Sequence, residues 1–163
     1  MPPSARSRLL ALALAAFLVG CVAPGARAAL DGPPRRERVA PKPTLGQRAA
    51  RVALRAVGVP YSWGGTSPSS GFDCSGLVYW AYGRIGVSVP HSSYALYGVG
   101  RSVPRRALRA GDILFFSGLG HVGIYLGRGR MVHAPHSGTR VQVVSLGGSN
   151  YGGSLVGARR LVR

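Results

Sequence analysis

The chain is short of acid, of cysteine and of long apolar runs. Four carboxylates, Asp31, Glu37, Asp73 and Asp112, stand against 21 lysines and arginines, for a net charge of +17 over 163 residues. Only Asp73 and Asp112 fall in the part that reads as folded, so a hydrolase built on paired carboxylates is poorly supplied. There are two cysteines, Cys21 and Cys74. Cys21 lies in a leader-like segment where it is either removed or lipidated, which leaves Cys74 without a disulfide partner. A lone thiol in an exported chain is unusual, because oxidising compartments favour pairing or loss of spare thiols. The apolar run from Leu9 to Val19 has eleven residues, too few to cross a bilayer.

What the N-terminus does contain is Arg6 and Arg8, that apolar run, and then small residues, the layout of a secretory signal over residues 1–28. Two processing readings fit. Ala26-Arg27-Ala28 suits an ordinary signal peptidase, whereas Leu18-Val19-Gly20-Cys21 has the form of a lipoprotein box that would make a lipidated Cys21 the mature N-terminus. Both predict export to the bacterial cell envelope or beyond. Residues 29–43, with four prolines and little to bury, read as a linker, and residues 44–163 as one catalytic-sized domain and a monomer. Without the leader's Arg6, Arg8 and Arg27 the charge is still +14. An exported cation of this kind meets anionic wall polymers and lipid headgroups rather than nucleic acid, although dispersed arginines equally suit a solvated surface.

Thr44-Leu45-Gly46-Gln47 has capping-box spacing, and Leu45, Ala49, Val52, Ala53, Ala56 and Val57 share one helical face that Gly58 should end. The following Val59 to Thr66 segment carries Tyr61, Trp63 and the Gly64-Gly65 pair. Trp63 is expected in the core, while the hydroxyl of Tyr61 suits a groove as well as a core. Gly71 and Asp73 form a turn before Cys74, which opens a helix to Tyr82. A second, short helix is expected from Ser93 to Val99. Arg105, Arg106 and Arg109 read as a solvated basic patch.

Beyond Gly111 the period shortens. Asp112 to Phe116 reads as a buried strand with Asp112 fixing its turn, followed by strands over 121–126, 131–134, 140–146 and 155–162. Helices packed on an antiparallel meander of about five strands make an α+β fold.

Cys74 at a helix N-terminus sits in a positive field that should lower its pKa and favour thiolate. A hairpin turn at Gly127 to Arg130 pairs 126 with 131 and so brings His121 close to His133. One histidine is then available as base and the other as the group that fixes its orientation. The Cys74 backbone N–H and the Tyr61 hydroxyl are candidate oxyanion donors. A metal is the rival use of Cys74, His121, His133 and His136, but no pair has the tight spacing of a zinc site, so neither metal nor cofactor is expected.

Five motifs in order, Pro60-Tyr61-Ser62-Trp63-Gly64-Gly65, Gly71 to Val78, Gly111 to Phe116, His121 to Tyr125 and Met131 to Pro135, resemble those of the NlpC-type cell-wall cysteine peptidases. The resemblance covers about Leu45 to Val162. It implies a papain-like domain with Cys74 as nucleophile, His121 as base and His133 as orienting residue. It implies hydrolysis of peptidoglycan stem peptides, typically between γ-D-glutamyl and a diamino acid. Tyr61, Asp73 and Ser75 match positions near the nucleophile, the last two helping to hold the N-terminal end of the stem. The chain departs from the pattern at Pro90-His91-Ser92-Ser93 and Leu96, where many members carry Pro-Arg-Thr-Ser and a glutamine. A non-catalytic wall-binding protein and an amidase or acyltransferase on the same scaffold are the rival functions.

Overall fold

The computed structural model describes residues 41–148 and 151–162. The leader, Cys21 and most of the linker lie outside the described residues. Helix α1 (Leu45–Leu54) begins at the expected capping box: the Thr44 hydroxyl accepts from the Gln47 N–H at 3.2 Å, and the Thr44 N–H donates to the Gln47 side chain at 2.8 Å. Its inner face is almost all alanine, with Ala49, Ala50 and Ala53 buried. Small side chains let the helix lie close on what is beneath it. At its first turn Gly46 packs backbone to backbone on Gly111, and a Cβ on Gly111 would sit 2.1 Å from the Gly46 Cα. Val57, expected on that face, is instead exposed beyond the helix end.

Two short strands, β1 (Thr66–Ser67) and β2 (Gly71–Phe72), pair antiparallel and deliver the chain to α2 (Cys74–Gly83). Helix α3 (Ser93–Tyr97) follows, capped by Ser92 and shorter than expected. Among the described residues the main sheet has six strands: β3 (Arg101–Ser102), β4 (Ile113–Phe116), β5 (Val122–Gly127), β6 (Arg130–His133), β7 (Gln142–Ser145) and, after the short helix α4 (Tyr151–Ser154), β8 (Leu155–Arg160). The order is β3-β8-β4-β5-β6-β7. β4 to β7 form the expected meander, but β8 returns to the opposite edge of β4, and the two-residue β3 adds a sixth strand outside it. Nothing in the polar Arg101-Ser102 pair marks a strand, since its ladder to Arg159 and Arg160 is backbone only.

β4 is buried on both faces, as its unbroken apolar run demands. Ile113 and Phe115 join Leu77, Val78 and Ala81 of α2 beneath the helices, while Leu114 and Phe116 pack with Met131, Leu146 and Ala158 on the other side. Among the described residues Asp73 and Asp112 are the only acidic side chains, and both are buried. Asp112 accepts from the Arg109 N–H at 2.7 Å, as a turn-fixing residue should. It also takes both forks of Arg160 on β8, at 2.6 and 2.7 Å, a pairing across 48 residues that local reading does not reach. Arg105, read as solvated, donates to the Gly152 carbonyl at 2.7 Å.

The Asp112–Arg160 pair fastens β8 to the start of β4. Removing one partner of a buried pair strands the other charge. Arg160→Ala is expected to cost about 3–5 kcal/mol in urea unfolding, whereas Arg84→Ala, an exposed change, should stay within about 0.5 kcal/mol.

Candidate active site

Cys74 is the first residue of α2, and its position is fixed from the Asp73 side. Asp73 is the N-cap, in extended conformation, and its Oδ1 accepts from the Gly76 N–H at 2.6 Å. Its Oδ2 accepts from the Gly64 N–H at 2.9 Å, while the Asp73 N–H donates to the Gly65 carbonyl at 3.1 Å. The Gly64-Gly65 segment therefore lies directly against the first turn of α2. A Cβ on Gly76 would meet the Gly65 oxygen at 2.0 Å, so glycine is required there by close approach.

The thiol is free and partly buried. Burial is the largest influence on its pKa and pushes it up, and the Asp73 charge adds to this. Hydrogen bonds from the N–H groups of Val122, Ser75 and Cys74 itself oppose it without prevailing. The expected lowering by the helix N-terminus is thus overturned, since desolvation of the anion outweighs the amides that would stabilise it.

The Val122 N–H that faces the thiol follows His121, which sits just before β5 rather than within it. His133 ends β6. Their juxtaposition is as expected, but the register is not: Ile124 pairs with Val132, and a bulge between Tyr125 and Gly127 absorbs the extra residue. Counting back from the turn alone therefore misplaces the pairing by one position. The His121 Nε2 and His133 Nδ1 are 2.8 Å apart, with the rings edge to face. His133 is fully buried, and its Nε2 has no hydrogen-bond partner among the described residues. Burial, then the neighbouring His136, lowers the His121 pKa to about 4. Burial, then His121 and His136, lowers that of His133 to about 3. Near neutrality both imidazoles are uncharged beside a protonated thiol. If the Nε2 of His121 carries its proton and donates it to His133, the Nδ1 is left as a free base.

Sequence reading missed Tyr151, an aromatic among glycines in what looked like a connector. Its ring lies 4.9 Å from that of His133, 5.4 Å from that of His121 and 5.1 Å from that of Phe116. Burial and then the nearby Cys74 raise its pKa. Tyr61, joined to Phe72 by a backbone bridge, is also raised by burial, then by Cys74 and Asp73, so both tyrosines feel the charge of the thiol.

A groove of about 340 Å³ opens over Cys74, lined among others by Asp73, Ser75, His91, Tyr94 and Trp63. Trp63 is 88% exposed, which corrects its assignment to the core. Phe72 fills that role instead, buried against Trp80 at 5.2 Å, while the turn at Gly64 projects the indole outward. Ser75 is buried and donates to the Asp73 Oδ1 at 3.0 Å. His91, noted in the sequence only for its departure from the family pattern, reaches both Asp73 oxygens with its Nε2, at 3.1 and 3.0 Å. Burial works to raise the Asp73 pKa, but the bonds from Gly76, His91 and Ser75 overcome it and hold the carboxyl below its ordinary range. His136 bonds within its own loop, and among the described residues no three His, Cys, Asp or Glu side chains gather as a metal would require.

A cysteine in the first turn of a helix, set against bonded histidines on an antiparallel sheet, defines a papain-like α+β domain. Residues 58–160 match the NlpC/P60 family, and the chain belongs to it. It is 45% identical over 141 residues to a probable endopeptidase of Mycobacterium tuberculosis, covering 85% of this chain and 36% of that one. It is 38% identical over 128 residues to the murein DD-endopeptidase MepH of Escherichia coli, covering 71% and 47%. The solved structure of the peptidoglycan hydrolase RipB of Mycobacterium tuberculosis superposes with a TM-score of 0.64 at 34% identity, covering 73% of this chain and 65% of that one. The chain thus spans between a third and a half of the length of these two sequence relatives.

The buried histidines carry a stability consequence. Their folded pKa values, about 4 and 3, lie below the ordinary 6.5, so the unfolded chain binds more protons between those limits. Stability contributed by the neutral pair is present above pH 6.5 and lost as pH falls toward 4. Thermal unfolding followed from pH 7 to pH 4 should show a steadily falling midpoint. Replacing His133 by Gln should flatten that slope.

Proposed function

We propose that the protein is an exported peptidoglycan hydrolase, a cysteine endopeptidase that cuts stem peptides through an acyl-enzyme. The observation that carries this reading is the 2.8 Å bond between His121 and His133, next in the chain to the Val122 N–H that reaches the Cys74 thiol, with Cys74 itself lining an open groove. The naming of its relatives as endopeptidases and peptidoglycan hydrolases supports it. A pure wall-binding module has no need of this arrangement.

The geometry supports the following chemistry. The Cys74 proton passes to the Nδ1 of His121 as Sγ attacks the scissile carbonyl, so that thiolate forms only as it is used. His133, receiving the Nε2 proton of His121 as a hydrogen bond, holds the imidazole in the tautomer that leaves Nδ1 basic. The tetrahedral oxyanion is met by the Cys74 N–H at the start of α2, with the Tyr61 hydroxyl as second donor. Imidazolium then protonates the departing amine, and a thioester remains on Cys74. Water, deprotonated by His121, hydrolyses it and restores the thiol.

The bond between γ-D-glutamyl and the diamino acid is the primary reading, carried from the family motifs. The DD-endopeptidase name of MepH favours a second, the cross-link between stems. Mass analysis of products from defined muropeptides separates the two, because only the first releases a fragment ending in D-glutamate. Cys74→Ala should abolish release of either fragment, and digestion at the parental rate would contradict the mechanism. Because His121 is neutral down to about pH 4, the acid limb of kcat/KM should fall near pH 4 rather than at the ordinary histidine value.

A further inference from the structure

We propose that two hollows beside α1 form one binding trough for a phosphodiester-linked polyol chain, separate from the catalytic groove. The first, of about 290 Å³, is lined by Arg101, Arg109, Leu45 and Leu161 among others. The second, of about 280 Å³, is lined by Arg51, Arg130, Leu126 and Val143 among others. They adjoin at Ala110, which lines both, and follow α1 along its length, with Leu45 and Gly46 in the first and Gln47 and Ala50 in the second. Neither shares a residue with the groove over Cys74, whose lining holds no arginine or lysine.

The arginines of the trough have no partner inside the domain. Among the described residues the guanidinium groups of Arg51, Arg101, Arg109 and Arg130 make no hydrogen bond or ion pair. Other arginines are committed to the fold: Arg105 and Arg140 donate to the carbonyls of Gly152 and Gly58, and Arg160 holds Asp112. Asp112 does line the first hollow, but Arg160 already neutralises it. Asp73, the other described carboxylate, is bonded at the first turn of α2. The counter-charge for four guanidinium groups must therefore come from outside the domain.

The lining selects the ligand. A guanidinium fork matches the oxygens of a phosphate, and no lysine lines either hollow. The apolar side chains set among the arginines, Leu45, Leu54, Leu126 and Val143, suit the C–H links of a polyol. The one aromatic residue in either lining is Tyr82, which is buried with its hydroxyl donated to the Gly111 carbonyl. A nucleic acid would find no ring face on which to stack its bases. A flexible chain also enters a recess, whereas a flat bilayer surface does not. The proposal rests on the exported reading, since it is in the envelope that such anionic polymers are met.

The test is titration calorimetry of the full chain with a synthetic glycerol-phosphate oligomer at about 0.15 M salt, where surface charges more than about 8 Å apart are screened. Arg101→Gln/Arg109→Gln and Arg51→Gln/Arg130→Gln should each weaken binding about tenfold or more, the scale of one charge-assisted hydrogen bond. Arg84→Gln/Arg106→Gln removes the same charge from positions that line neither hollow, and should change affinity by less than about twofold. Equal losses in all three pairs would mean attraction to net charge alone and would overturn the site, as would no binding by the parent. A loss confined to one hollow would overturn the single trough. Polyglutamate, an oligonucleotide with the same number of phosphates, and vesicles of phosphatidylglycerol with phosphatidylcholine are the competing probes. Any of these binding as tightly as the oligomer overturns the ligand assignment. Melting curves check each pair, and one that lowers the midpoint is replaced by its two single substitutions. Both trough pairs should cleave muropeptides at the parental rate, so a failure here is distinguishable from a failure of the hydrolase reading.

Discussion

The Asp73 carboxylate is the constraint on which the rest of the site depends. One oxygen closes the first turn of α2 through the Gly76 N–H, and the other holds the Gly64 N–H, so helix and preceding loop are tied at one point. Cys74 occupies the next position in the chain and has no freedom to leave the turn. Ser75 and His91 saturate the same carboxylate, which fixes its charge and the polarity of the groove floor. A buried carboxylate is tolerable only when satisfied in this way. Asp112 follows the same rule at the far end of the domain, where Arg160 supplies the charge.

Burial also governs the reacting groups. Desolvation raises the Cys74 thiol and lowers both histidines, so each is driven toward its neutral form. This differs from a site that stores a thiolate-imidazolium pair at rest. In the proposed mechanism the proton moves from sulfur to nitrogen only when a carbonyl arrives, and the amides that reach the thiol favour the anion at that moment.

Much of this was legible in the sequence, for identifiable reasons. The capping box of α1, the turn at Asp73, the start of α2 at Cys74 and the buried β4 are local signals, and each emerged where the pattern placed it. The nearness of His121 and His133 followed from a tight turn between two strands, although the bulge at Tyr125 to Gly127 moved the register by one. Three kinds of feature were out of reach. Arg160 and His91 act on carboxylates 48 and 18 residues away, and no local pattern encodes such pairings. β3 is held by backbone alone, so its side chains carry no strand signature. Trp63 was misjudged because an indole is apolar by composition, whereas its orientation is decided by the turn at Gly64. The sign of the thiol's shift likewise depends on how deeply the sulfur is buried, which spacing does not express.

The central claim is that Cys74, deprotonated by His121, attacks the stem-peptide carbonyl and carries the acyl group. Acid-quenching a reaction with a defined muropeptide within the first turnovers, followed by peptide mass mapping, tests it most directly. The account predicts a mass increase on the Cys74 peptide equal to the acyl fragment, labile to hydroxylamine as a thioester and absent in Cys74→Ala. Release of product with Cys74 unmodified at every time, and undiminished in Cys74→Ala, would contradict it.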